Sequence, residues 1–191
     1  MSMLILGIII FFGVHSIQIV ASDWRTAQVQ RIGLMPWKGA YSLLSLTGFA
    51  LIIWGFSIER AAPVFLWMPP HWTHHAAALL MLFAFIFLVA TYVPGNRIKA
   101  TVGHPMLLAV KIWAVAHLLA NGRLADVILF GAFLIWAAAG YSVLRRRDRA
   151  ANVTYANLGI QRNALVIVLG IILFVLFAHF AHQWLFGVRP L

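Results

Sequence analysis

Six blocks of mostly apolar residues, each close to 20 long, recur along this chain, over about residues 3–21, 40–58, 75–93, 104–121, 124–144 and 163–186. No other feature narrows its folds so far. A helix rises about 1.5 Å per residue, so a block of this length matches the ~30 Å hydrocarbon core of a bilayer. Inside hydrocarbon every backbone N–H and C=O must be satisfied within the protein, which leaves helices or closed barrels. The blocks are continuously apolar rather than alternating, which excludes barrel strands. The reading is therefore all-α: a polytopic integral membrane bundle of about six transmembrane helices, forming a single domain over 1–191. Only 9% of the residues are charged, against about a quarter in a soluble domain.

The first block competes with a signal peptide. It lacks a basic n-region and a small-x-small cleavage site, so a retained helix is expected. The connectors suit a membrane surface: Trp24 and Trp37 in the first, Trp67 and Trp72 beside Pro63, Pro69 and Pro70 in the second.

The net charge of +10 arises from 14 Lys and Arg against four acids, Asp23, Glu59, Asp126 and Asp148. The basic residues lie almost wholly in connectors, so contact with anionic lipid and orientation explain them and no nucleic acid is implied. Alternate connectors hold ten basic residues (Arg25, Arg31, Lys38; Arg97, Lys99; Arg145, Arg146, Arg147, Arg149, Arg162) against three on the other side (Arg60, Arg123, Arg189). The positive-inside rule then puts both termini on the outer, periplasmic side.

No cysteine occurs. Disulfides, iron–sulfur clusters, thiolate haem ligation and covalent haem attachment are excluded, and a metal or haem would have to be held chiefly by histidine. Nucleotide-binding loops, nucleophile elbows, carboxylate pairs and HExxH are absent as well. No internal repeat points to an inverted-repeat transporter.

What remains is the polar content of the apolar blocks. The fourth carries His104, Lys111, His117 and Asn121, and ionisable groups in hydrocarbon cost several kcal/mol unless partnered. Trp113, His117 and Asn121 share a helix face at i, i+4 and i+8. An imidazole with an aromatic neighbour and a hydrogen-bonding partner has the form of a metal or haem ligand, or of an interhelical hydrogen bond. Lys111 lies mid-span, and no acid in any predicted span is available to neutralise it. It calls for a ligand carboxylate, or stays neutral. His15, with Ser16 beside it, lies well inside the first block; His75, His104, His179 and His182 lie toward span ends, where histidines pack at interfaces.

The patterns Phe-Phe-Gly-Val-His15-Ser16, Arg31-Ile-Gly followed by Lys38-Gly-Ala-Tyr41-Ser, Pro94-Gly-Asn-Arg97-Ile-Lys, and His104-Pro through Ala116-His117-Leu-Leu-Ala-Asn-Gly resemble NnrU-type membrane proteins over essentially the whole chain. The resemblance implies a bacterial inner-membrane protein tied to denitrification and nitric-oxide metabolism. That family is related to the 15-cis-zeta-carotene isomerase, a membrane haem b enzyme. Its two haem histidines lie in motifs that match His15-Ser16 and Trp113-Ala-Val-Ala116-His117. The isomerase has a cysteine three residues before the second histidine; here Ala114 stands there, so no Cys/His ligand switch is available. By resemblance, haem b is held by His15 and His117; by depth along the spans, at about 1.5 Å per residue, His75 or His182 is an alternative axial partner for His117. Lys111 and loop arginines then face the propionates, and Trp113 and Asn121 flank the ligand. The implied roles are a redox-gated, isomerase-like enzyme on an apolar substrate or a centre for a small gaseous ligand. The alternatives are a non-catalytic accessory to a nitrogen-oxide reductase, or a small transporter.

Overall fold

A computed structural model describes residues 1–190. It is 82% helix with no strand among the described residues. Among the described residues nine helices follow one another: α1 Ser2–Val20, α2 Ser22–Ile32, α3 Leu34–Ala61, α4 Trp72–Tyr92, α5 Arg97–Val102, α6 Pro105–Ala120, α7 Leu124–Ala150, α8 Ile160–Leu176 and α9 His182–Phe186, with a π turn, Phe177–Ala181, joining the last two. Five are long and apolar enough to cross a membrane: α1, α3, α4, α7 and the run Ile160–Phe186. Five of the six expected spans thus meet that length, since the fourth block forms only the 16 residues of α6. At roughly 24 Å that helix is shorter than the hydrocarbon core.

Two other boundaries depart from expectation for local reasons. The connector 22–39 is helical: α2 has Asp23 in its first turn and Arg31 in its last, both complementary to the helix dipole. Gly33 (φ 87) turns the chain, and α3 starts with Pro36 within its first turn, where no intrahelical N–H bond is lost. Helix α7 runs on through the Arg145–Arg149 stretch, since arginine is a good helix former and is favoured at a C-terminus.

The chain divides into two compact units. The first comprises residues 1–66 and 123–132. Here α1 and α3 pair antiparallel with their backbones in near contact. A Cβ on Gly7 would lie 2.6 Å from Ile52 N, one on Gly48 would lie 2.8 Å from Phe11 N, and one on Gly55 would strike the Leu4 backbone. Small residues let membrane helices approach this closely. Fully buried Asp126, in the first turn of α7, takes Arg123 Nε at 2.6 Å and Nη2 at 2.9 Å. The Arg123 guanidinium also lies over the Phe56 ring.

The second unit comprises residues 67–122 and 133–191. Helix α4 packs along α6 and, antiparallel, on α8. Val89, Ala90 and Val166 form a buried cluster with Ile86, Val93 and Ile98 around it. Gly170 lets α8 approach Ile86, and Phe85 meets Phe174 and Phe177. Asn96, fully buried, joins α4 to α5: its amide donates to the carbonyls of Ala90 (2.8 Å) and Val93 (2.6 Å), and its Oδ1 accepts from Lys99 N (2.7 Å). One side chain thereby satisfies both helix ends.

Candidate functional site

In the first unit, His15 projects from α1. Its Nδ1 lies 2.7 Å from the Phe11 carbonyl, one turn earlier. A carbonyl only accepts, so Nδ1 carries the proton and, in the neutral ring, the lone pair is on Nε2. The Phe11 ring stacks on the imidazole (centroids 4.1 Å apart, 26° between planes), and Tyr41 of α3 stands 5.4 Å from it.

The second unit repeats this arrangement on α6. His117 Nδ1 donates to the Trp113 carbonyl at 2.8 Å, again the residue four earlier, and the indole lies 5.1 Å from the imidazole. Phe133 of α7 packs edge-on against Trp113, also at 5.1 Å. Asn121 donates through Nδ2 to the His117 carbonyl at 2.9 Å, so it braces the end of α6 rather than the imidazole. The face of Trp113, His117 and Asn121 is thus brought together as the spacing implies, with backbone carbonyls as the partners.

Lys111 has a neighbour that the sequence did not suggest. Its Nζ lies 5.2 Å over the Tyr141 ring of α7, a cation–π contact that eases its burial. The Tyr141 hydroxyl is in turn tied to the Val102 carbonyl at 3.0 Å. The expectation that no acid lies in a span is corrected by Asp126 and by Glu59, which is in α3 and pairs with the Met1 amino group. Each of these two carboxylates has its own cation, Asp126 in Arg123.

The alternative ligands are placed differently. His75 is exposed near the start of α4, its neighbour His71 at 5.3 Å between rings. His182 opens α9, with Nδ1 donating to the Val188 carbonyl at 2.7 Å and Phe177 and Phe186 beside its ring. Among the described residues, no group of three or more His, Asp or Glu is arranged to hold a metal ion.

His104, expected only as a helix-entry residue, is the N-cap of α6 and also half of a long-range contact. Its Nε2 lies 2.9 Å from Asp148 Oδ2, close but off the line of a hydrogen bond. Tyr155 Oη donates to the same carboxylate oxygen at 2.9 Å, and Arg145 Nη1 is 3.9 Å away. Burial, reinforced by the Asp148 hydrogen bond and charge, pushes the Tyr155 phenol above its usual range. Asp148 is 44 positions beyond His104, a separation over which no local spacing rule operates.

Searches against curated proteins and against solved structures returned no match. The family model described as NnrU protein matches residues 3–190. With nearly the whole length covered, this chain belongs to the NnrU family.

Proposed function

We propose that the protein is a haem b-binding integral membrane protein of nitric-oxide metabolism in the bacterial inner membrane, in which His15 and His117 would hold the haem. The observation that carries this reading is the shared setting of the two histidines. Each donates Nδ1 to the carbonyl four residues back and rests against the aromatic ring at that position. Such a bond fixes the ring and leaves the lone pair on Nε2, the arrangement in which a histidine ligates a metal. The donor set suits haem b: two imidazoles, aromatic neighbours for an apolar macrocycle, and no cysteine. Lys111, whose ammonium meets an aromatic face in place of a carboxylate, is the candidate partner for a propionate, with connector arginines as further cations.

Held by these histidines, haem iron would supply one-electron chemistry and a place for nitric oxide to bind. The chain's part is to hold Nδ1–H of each ring on its carbonyl, which sets the basicity of Nε2, and to surround both rings with apolar side chains. In the membrane we place six crossings, α6 being the short one, with both termini on the periplasmic side. The antiparallel pairing of α1 with α3 and of α4 with α8 suits that topology.

The test is the absorption spectrum and pyridine haemochrome of protein purified from haem-replete cells. A b-type spectrum is expected, altered in both His15→Ala and His117→Ala. Protein free of haem, or a spectrum unchanged in both variants, refutes the reading.

A further inference from the structure

The basic run that ends α7 is divided by the fold. Arg145 and Arg149 are one turn apart and share a face, and both line a cavity of about 550 Å³ together with Asn152, Thr154 and Tyr155. Ala100 of α5 contributes to its wall. Arg146 and Arg147 take no part in the lining. The apolar part of α7, residues 124–144, rises roughly 30 Å, the thickness of the hydrocarbon layer, so the cavity falls at headgroup level.

Arg145 is held in place. Its Nη1 occupies the space beside Gly103, where a Cβ would lie 2.7 Å from it, and it reaches Asp148 at 3.9 Å. Arg149 is exposed at the rim. Asp148 also lines the cavity, and a bare carboxylate would repel an anion. This one is not bare: Tyr155, His104 and Arg145 converge on Oδ2. The raised pKa of Tyr155 keeps the phenol a neutral donor to it through the physiological range. The carboxylate therefore serves as a bracket for the arginine, and the outward chemistry of the cavity is two guanidiniums, an amide and a hydroxyl.

We propose that this cavity binds the phosphate of a phosphate ester, with Arg145 and Arg149 gripping its oxygens and Asn152 and Thr154 donating beside them. Guanidinium forks suit this anion geometrically as well as in charge. A phospholipid headgroup and a soluble phosphate ester offer the same chemistry, and the experiment separates them.

Intact protein in detergent is titrated with phosphatidylglycerol, with phosphatidylcholine and with glycerol phosphate, and bound species are counted by native mass spectrometry. Phosphatidylglycerol should bind in preference to phosphatidylcholine. R145A/R149A should weaken it by at least about tenfold, the scale of two lost charge-assisted bonds, while the equally charged R146A/R162A leaves it unchanged. Glycerol phosphate binding with the same dependence, and no preference between the lipids, would assign the site to a soluble ester instead. Should R145A/R149A not fold, Thr154→Val is expected to weaken binding about fivefold, one hydrogen bond's worth. Equal losses in both double variants, no binding of any probe, or an unaffected Thr154→Val overturns the proposal. Haem content does not enter the readout, so this result stands or falls apart from the haem reading.

Discussion

Two glycines one helix apart in role, though both on α1, give the sharpest test of how the first unit is held. Gly7 faces α3: a Cβ there would sit 2.6 Å from Ile52 N, 2.8 Å from the Gly48 carbonyl oxygen and 2.9 Å from Leu51 C. That is 0.8 Å inside the 3.4 Å at which ordinary contact begins, and every obstacle is backbone. No rotamer relieves it, so α1 and α3 must separate. Gly13 has nothing within 4 Å of its Cβ position. Gly7→Ala should therefore destabilise by about 1–3 kcal/mol, the usual cost of overpacking. Gly13→Ala should be neutral or stabilise by about 0.4–1 kcal/mol, since alanine restricts the unfolded chain and favours the helix. For a chain of this size each kcal/mol corresponds to roughly 2–4 °C in Tm. Thermal unfolding in detergent, followed by helical circular dichroism, should show Tm falling in G7A and holding or rising in G13A. Similar Tm changes of the same sign in both would refute the argument from backbone approach.

Three further outcomes follow from buried polar groups and from the Tyr155 contact. Asn96→Leu removes three hydrogen bonds at a fully buried joint and should lower unfolding stability by about 2–4 kcal/mol, summing the net worth of such bonds and the penalty for orphaned groups; unfolding titration reads it. Arg123→Ala leaves the fully buried Asp126 carboxylate without its guanidinium and should cost about 3–5 kcal/mol, with Asp126→Asn in the same background recovering much of the loss. Tyr155, whose phenol is raised above its ordinary 10.0, holds its proton more tightly folded than unfolded. Its contribution is present below that ordinary value and lost as pH rises through the higher folded one; the alkaline fall in stability should be shallower in Tyr155→Phe, measured by unfolding across that range.

Hydropathy located the apolar blocks because bilayer thickness constrains their length, and α6 begins and ends within one residue of the expected 104–121 block. It was blind where helix formation rests on something else. Helix α2 is polar and stands on dipole matching; the last turns of α7 stand on arginine's helix propensity. The face of Trp113, His117 and Asn121 was legible because it is local, set by 3.6 residues per turn. The carbonyl partners of His15 and His117 were legible only in part, since the i−4 spacing fixes which carbonyl is near but not the rotamer that reaches it. Tyr141 over Lys111 and Asp148 against His104 could not be read at all. They depend on which helices become neighbours, and in an apolar bundle nearly every helix face looks alike.

The π turn at 177–181 sets a phase as well as a bend in hydrogen bonding. A π turn accommodates one residue more than the α-helix around it, and each α-helical residue advances the screw by about 100°. Residues 160–176 and 182–186 therefore follow two helical registers along one apparently continuous rod. In a single α-helix, Phe177 and His182, five apart, would diverge by about 140°, yet their rings meet at 5.9 Å. A one-residue deletion within the turn would restore a uniform screw and leave Phe177 and His182 four apart, about 40° from each other, so the ring contact would survive on an unbroken α-helix.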